Sequence, residues 1–144
     1  MFGKPSLMTS IAVGKTAGLV FGGAGFFLLP WFWPEAGMML RWGVLLWYIT
    51  LGGIIGLFGV FNRHPVLRMD LPWWFRGPFI GGWMNFLLAL IAHDKLAAMM
   101  SASFGAGSAL ASPFWIVAEG VVIGLIIAYL AFRFGGEGPE TAGK

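Results

Sequence analysis

The stretch WGVLLWYITLGGIIGLFGVF, residues 42–61, contains no charged side chain. A helix needs about 20 mostly apolar residues to cross a hydrocarbon core about 30 Å thick, because lipid offers no partner for an unpaired backbone group. This stretch meets that demand outright, and three others approach it. Residues 11–33 form one, with Lys15 near the start, where a long stem can snorkel. Residues 72–92 carry Arg76 in the first turns and Pro78 just after. Residues 113–132 follow Ser112, a natural N-cap, with Pro113 at the first helical position, where its missing donor is harmless. The third is the short one: from Pro78 to Ala92 there is only about 22 Å of helix. Trp73 to Arg76 must supply its first turn, and a re-entrant or interfacial segment is the alternative.

Composition agrees with a lipid environment. Hydrophobic residues make up 58% of the 144 and charged residues 10%, against about 25% charged in a soluble domain. So few charges cannot coat a water-facing surface. The chain has no cysteine, which excludes disulfides, thiolate metal sites and cysteine nucleophiles. A net charge of +3 is too thin for a nucleic-acid footprint.

Charge placement then orients the helices, since short cytoplasmic loops carry excess Lys and Arg. With four helices and a cytoplasmic N-terminus, Lys4, Lys15, Arg63, Arg68, Arg76, Arg133 and Lys144 lie inside, and only Arg41 and Lys95 outside. Tryptophan follows the same pattern, its amphipathic ring favouring the headgroup level. Trp31, Trp33, Trp42 and Trp115 fall at the outer boundary, Trp73 and Trp74 at the inner one, while Trp47 and Trp83 are left to pack between helices. The first apolar run ends in LPWFWP (29–34), without a small-residue cleavage pattern, and is read as a retained helix. The expected fold is an all-α integral membrane protein. Residues 1–132 form a single four-helix bundle with both termini cytoplasmic, residues 96–112 an outer interfacial segment with Asp94 placed to cap its start, or alternatively a partner-covering or re-entrant one, and residues 133–144 a flexible tail. The expected location is a bacterial inner (plasma) membrane.

Small residues let helix backbones approach closely. Spacings of four recur at Gly14, Gly18 and Gly22, at Gly52 and Gly56, at Gly77 and Gly81, and at Gly120 and Gly124. These mark tight seams inside the bundle or, alternatively, faces that dock a second chain.

Polar side chains at depth are costly and make site candidates. Counting from the helix ends brings Glu119, Asn85, Thr50 and Tyr48 to one layer in the outer half of the membrane. Within it Glu119 is either a proton or cation site or a structural contact that fixes helix register. Arg41, at the outer start of the second helix, is placed to pair with it. His64 and His93 fall at opposite membrane faces, so they cannot share a haem or metal within one chain. No metal site or cofactor is expected. The inner hairpin concentrates Arg63, Arg68, Trp73, Trp74 and Arg76, a surface for anionic lipid or a partner's acidic face.

The chain has no HExxH pair, no GxSxG elbow and no phosphate-cradling loop, so catalysis is not expected. Two functions follow from these residues. The first is a non-catalytic integral subunit or assembly factor packed against other membrane subunits or a homo-oligomer. The second is a small oligomeric channel or proton- or cation-coupled transporter using Glu119.

Overall fold

The computed structural model describes residues 5–143; Lys4 and Lys144, both used in the charge count, lie outside the described residues. The chain forms α1 (Leu7–Phe32), α2 (Met38–Leu57), α3 (Trp73–Ile91), α4 (His93–Phe104) and α5 (Trp115–Gly135). Short 3-10 turns follow at Phe58–Val60, Ala109–Ala111 and Pro139–Thr141, and there is no strand among the described residues. The first helix starts before residue 11 because Ser6 caps it, its Oγ accepting from the Thr9 backbone N–H at 3.1 Å. The last one starts after residue 113: Ser112, Pro113 and Phe114 make a 3-10-like turn that leads into Trp115.

Two antiparallel hairpins build the bundle, α1 against α2 and α3 against α5, and they join mainly through α1 and α5. Glycine is the reason these pairs lie so close. A methyl group at Gly14, Gly18 or Gly22 would overlap the backbone of Gly52, Tyr48 or Leu45, and one at Gly52 or Gly56 would overlap that of Gly14 or Ser10. The second seam repeats this, with Gly77 and Gly81 facing Gly124 and Gly120. All nine glycines are therefore engaged between helices of the same chain. A third contact seats Gly135 of α5 on Ser10 of α1, while the Ser10 Oγ donates to the Gly56 carbonyl at 3.0 Å. Between the seams, Leu51, Ile55, Ile123, Ile127 and Ala128 form the buried core.

These contacts gather Ser6–Ser10, the 58–73 connection and Gly135–Thr141 at one end of the bundle, here called the base. Residues 33–38 and 91–115 lie at the other end, the top. α1, α2 with its 3-10 extension, and α5 are each long and apolar enough to cross a membrane. Arg76, Trp73, Trp74 and Asn85 dilute α3, which reaches that level only together with α4, from which it is bent by 95°. Ala92 makes the bend without orphaning either helix: its N–H donates to the Leu88 carbonyl, and its own carbonyl accepts from Leu96. Asp94 lies in the first turn of α4 instead of capping it, a position the helix dipole favours. The Ser103 hydroxyl then donates to the Phe32 carbonyl at 3.0 Å, fastening α4 to the top end of α1.

The tail departs from the expected flexible end. Helix α5 continues to Gly135, and the chain then reverses through Gly136 at φ +73° and Gly138 at φ +101°, conformations that favour glycine. The Gly138 N–H donates to the Gly59 carbonyl at 2.8 Å, and Glu137 pairs with Arg76 at 2.9 Å. These glycines are the turn residues that fold the tail back onto the base.

Candidate functional site

Three of the four residues assigned to one layer by depth meet in the structure. Asn85 is fully buried, and Gly120 opposite leaves the space for it: a methyl there would come within 2.8 Å of the Asn85 side chain. Its amide nitrogen donates to the Ile116 carbonyl at 2.8 Å and to the Tyr48 hydroxyl at 3.2 Å. The Tyr48 hydroxyl in turn donates to Glu119 Oε1 at 2.8 Å. Trp47 completes the group, its indole N–H donating to Asn85 Oδ1 at 3.0 Å. The donors all run in one direction, from Trp47 through Asn85 and Tyr48, and end on the carboxylate. Asn85 thereby uses both amide hydrogens and its carbonyl, which leaves no further donor in that side chain.

Thr50 does not belong to this layer. It is exposed on the outside of α2, and Trp47 takes the place assigned to it. The Arg41–Glu119 ion pair is not formed either. Pro30 lacks the N–H that would bond the Phe26 carbonyl within α1. Arg41 Nε donates to that orphaned carbonyl at 2.6 Å, and the guanidinium lies 4.4 Å from the centre of the Phe26 ring. A second guanidinium nitrogen donates to the Met38 sulfur at 3.2 Å. Arg41 is committed to repairing α1.

Glu119 is exposed, and its second oxygen has no partner among the described residues. It stands on the wall of a groove of about 360 Å³ toward the top, whose other walls include Phe21, Leu28, Val44, Tyr48 and Leu96. Most of that lining is apolar. The groove therefore offers one fixed acceptor inside a hydrocarbon-like cleft, suited to a cation or to a hydrogen-bond donor carried on an apolar partner.

The basic base hairpin divides in two. Arg76 is 8% exposed, with its guanidinium donating to the Phe61 and Leu71 carbonyls and to Glu137, so it holds the base together and does not face outward. Trp73 is likewise internal, its ring 5.8 Å from Phe132 and stacked on it, and 5.4 Å from Tyr129. Arg63, Arg68 and Trp74 are exposed. His64 and His93 lie at opposite ends of the bundle. His64 Nδ1 accepts from the Leu67 N–H at 2.9 Å, and His93 Nδ1 lies 3.3 Å from Asp94 Oδ1. Among the described residues, no group of three or more His, Cys, Asp or Glu could hold a metal ion.

Asn85→Leu tests the layer as a structural unit. It keeps approximate volume but leaves the Trp47 N–H without its acceptor and removes the bonds to Tyr48 and Ile116, at an expected cost of about 2 kcal/mol. Thermal unfolding in detergent should reveal this, with Thr50→Val unchanged beside it. Equal melting of the two variants would remove Asn85 from the centre of the network.

Compared with protein families, curated proteins and solved structures, the chain shows no match.

Proposed function

We propose that this chain is a non-catalytic integral membrane subunit or assembly factor that docks another membrane protein along the Glu119 groove. One observation carries this reading: a carboxylate with one oxygen held and the other free, open on an apolar cleft, while Arg41 is engaged elsewhere. A polar group facing lipid is costly, and a donor on a partner helix would remove that cost. The glycine seams are used internally, so they do not supply the docking face, and the groove differs from the other exposed apolar surfaces in carrying a carboxylate held by the buried Tyr48.

In this reading the chain crosses a bacterial inner membrane four times with its base in the cytoplasm. Arg63, Arg68, Arg76 and Arg133 belong to the base and Arg41 and Lys95 to the top, the distribution expected of a cytoplasmic base. Lipids and other integral subunits are its partners.

A small oligomeric channel or proton- or cation-coupled transporter would use the same Glu119. Within one copy, the apolar residues Leu51, Ile55, Ile123 and Ile127 separate the top layer from the polar residues of the base, which favours the subunit. Purification in a gentle detergent separates the two readings. Stoichiometric co-purification with unrelated membrane chains is expected, weakened about tenfold by Glu119→Leu, the loss of one charge-assisted hydrogen bond. A lone homo-oligomer whose proton or cation flux in liposomes is abolished by Glu119→Gln would instead establish transport and overturn the subunit reading.

A further inference from the structure

We infer that the groove beside the base hairpin binds an anionic phospholipid, its phosphate held by Arg63 and Arg68 and one acyl chain lying along α3. The inference rests on the reading that the base faces the cytoplasmic leaflet, where anionic lipid is concentrated.

The hairpin is built to hold its shape. The backbones of Arg63 and Asp70 form a short antiparallel bridge, in which the His64 N–H donates to the Met69 carbonyl at 2.8 Å and the Leu71 N–H to the Asn62 carbonyl at 2.8 Å. Arg68 closes the turn at φ +54°, a conformation uncommon for a residue with a side chain. His64 is absorbed in that turn, its Nδ1 accepting from the Leu67 N–H.

Between this hairpin and the helices runs a groove of about 590 Å³, within the size range of small-molecule sites. Its walls are Phe58, Phe61, Leu67, Met69, Phe75 and Phe79, and its polar lining is close to nil. From Phe75 the apolar strip continues up α3: the rings of Phe75 and Phe79 stack at 6.0 Å, and those of Phe79 and Trp83 at 6.5 Å. All three are exposed, which gives a hydrocarbon chain a continuous track.

Charge selects the occupant. Arg63 uses only Nε, donating to the Arg68 carbonyl at 3.0 Å, so its terminal nitrogens are unpaired among the described residues, as is the whole Arg68 guanidinium. Arg76, which also lines the groove, is neutralised by Glu137. Asp70, the acid of the hairpin, lines an adjoining hollow beside Trp74 that shares Met69, Leu71 and Phe75 with the groove, and its carboxylate forms no salt bridge with either arginine. Arg63 on the wall, with the unpaired Arg68 on the same hairpin turn, puts positive charge at the end of a long apolar track, which matches an amphiphile with an anionic head. It does not match a peptide, whose backbone would find no hydrogen-bonding groups along these walls.

The test is native mass spectrometry of the full chain in nonionic detergent, titrated with palmitoyl-oleoyl phosphatidylglycerol, with phosphatidylcholine of the same chains, and with inorganic phosphate. Retention of phosphatidylglycerol is expected over phosphatidylcholine, with affinity falling about fivefold in Arg68→Gln and about thirtyfold in Arg63→Gln/Arg68→Gln. Phe79→Ala should weaken both lipids alike, and millimolar phosphate should not displace them. Arg68→Gln leaves its own carbonyl in place for Arg63, so it probes the head site even if the double variant disturbs the hairpin. Equal retention of the two lipids, no change in Arg68→Gln, or displacement by phosphate would each overturn the inference. None of these results bears on co-purification through Glu119, and loss of co-purification in Glu119→Leu with lipid selectivity intact would leave this site standing.

Discussion

Gly81→Val is expected to destabilise the bundle by about 3 kcal/mol or more, because it adds three carbons where none fits. The reason lies in what it meets. A Cβ at Gly81 runs into the carbonyl oxygen and carbon of Gly120 and the Cα of Gly124, and Gly120 meets Gly81 reciprocally. Backbone cannot rotate aside as the tip of a long side chain can, so the two helices must separate. Separation is costly in lipid, where helices gain no hydrophobic driving force from association and rely on close packing. It would also lift Asn85 from its seat opposite Gly120, loosening the Tyr48–Glu119 contact. Gly52→Val should behave alike, because Gly52 and Gly14 face each other in the first seam in the same manner. Gly23 and Gly43 provide the contrast: open space surrounds both. Alanine there should stabilise its helix by about 0.5–1 kcal/mol. Thermal unfolding followed by circular dichroism in detergent separates the outcomes, which differ in sign. Seam variants that melt like wild type would mean that the hairpins are not held by close backbone contact.

Those seams were legible because spacing four in a helix specifies a face as well as a depth. Depth alone groups Tyr48, Asn85 and Glu119 correctly but also admits Thr50, because depth carries no information about which face of a helix a residue occupies. Successive helix residues turn by about 100°, so Tyr48, Gly52 and Gly56 lie near one line, while Thr50, two residues from Tyr48, points away. Gly52 and Gly56 mark the packed face of α2, and that face includes Tyr48 and excludes Thr50. Trp47 lies close enough to the same face to reach Asn85 with a long side chain. Arg41 failed for another reason. Its partner is set by a carbonyl that Pro30 orphans four residues earlier in α1, so the signal was a proline in a different helix. The bend at Ala92 has no comparable sequence mark, being made by an ordinary residue whose backbone serves both helices. The glycines of the tail carried two meanings, flexibility or tight turning. The pairing of Glu137 with Arg76 and the Gly138 N–H bond to the Gly59 carbonyl decide between them, since they give the reversal something to hold.

That pairing supports the second large effect. Arg76→Met should destabilise the protein by about 3 kcal/mol, because removing one partner of a buried pair leaves the other uncompensated. The side chain of Arg76 is 9% exposed and that of Glu137 23%, so solvent can replace little of what is lost. The guanidinium also fastens separate parts of the chain: it donates to the carbonyls of Phe61 after α2 and of Leu71 at the end of the hairpin, while its own backbone belongs to α3. Lysine cannot reproduce that fork, and Arg76→Lys should recover only part of the loss. Glu137→Gln keeps a hydrogen-bond acceptor and should cost less than Arg76→Met. The double variant Arg76→Met/Glu137→Leu removes both charges together, and it should be more stable than Arg76→Met alone, since an apolar pair often replaces a buried ion pair at little cost. With the single variant Glu137→Leu and wild type added, thermal unfolding of the four proteins of that cycle measures the coupling, and limited proteolysis of residues 136–143 reports whether the tail has left the base. If Arg76→Met and its double variant melt together, with the tail equally protected in both, the ion pair does not hold the tail and the reversal through Gly136 and Gly138 must be sufficient by itself.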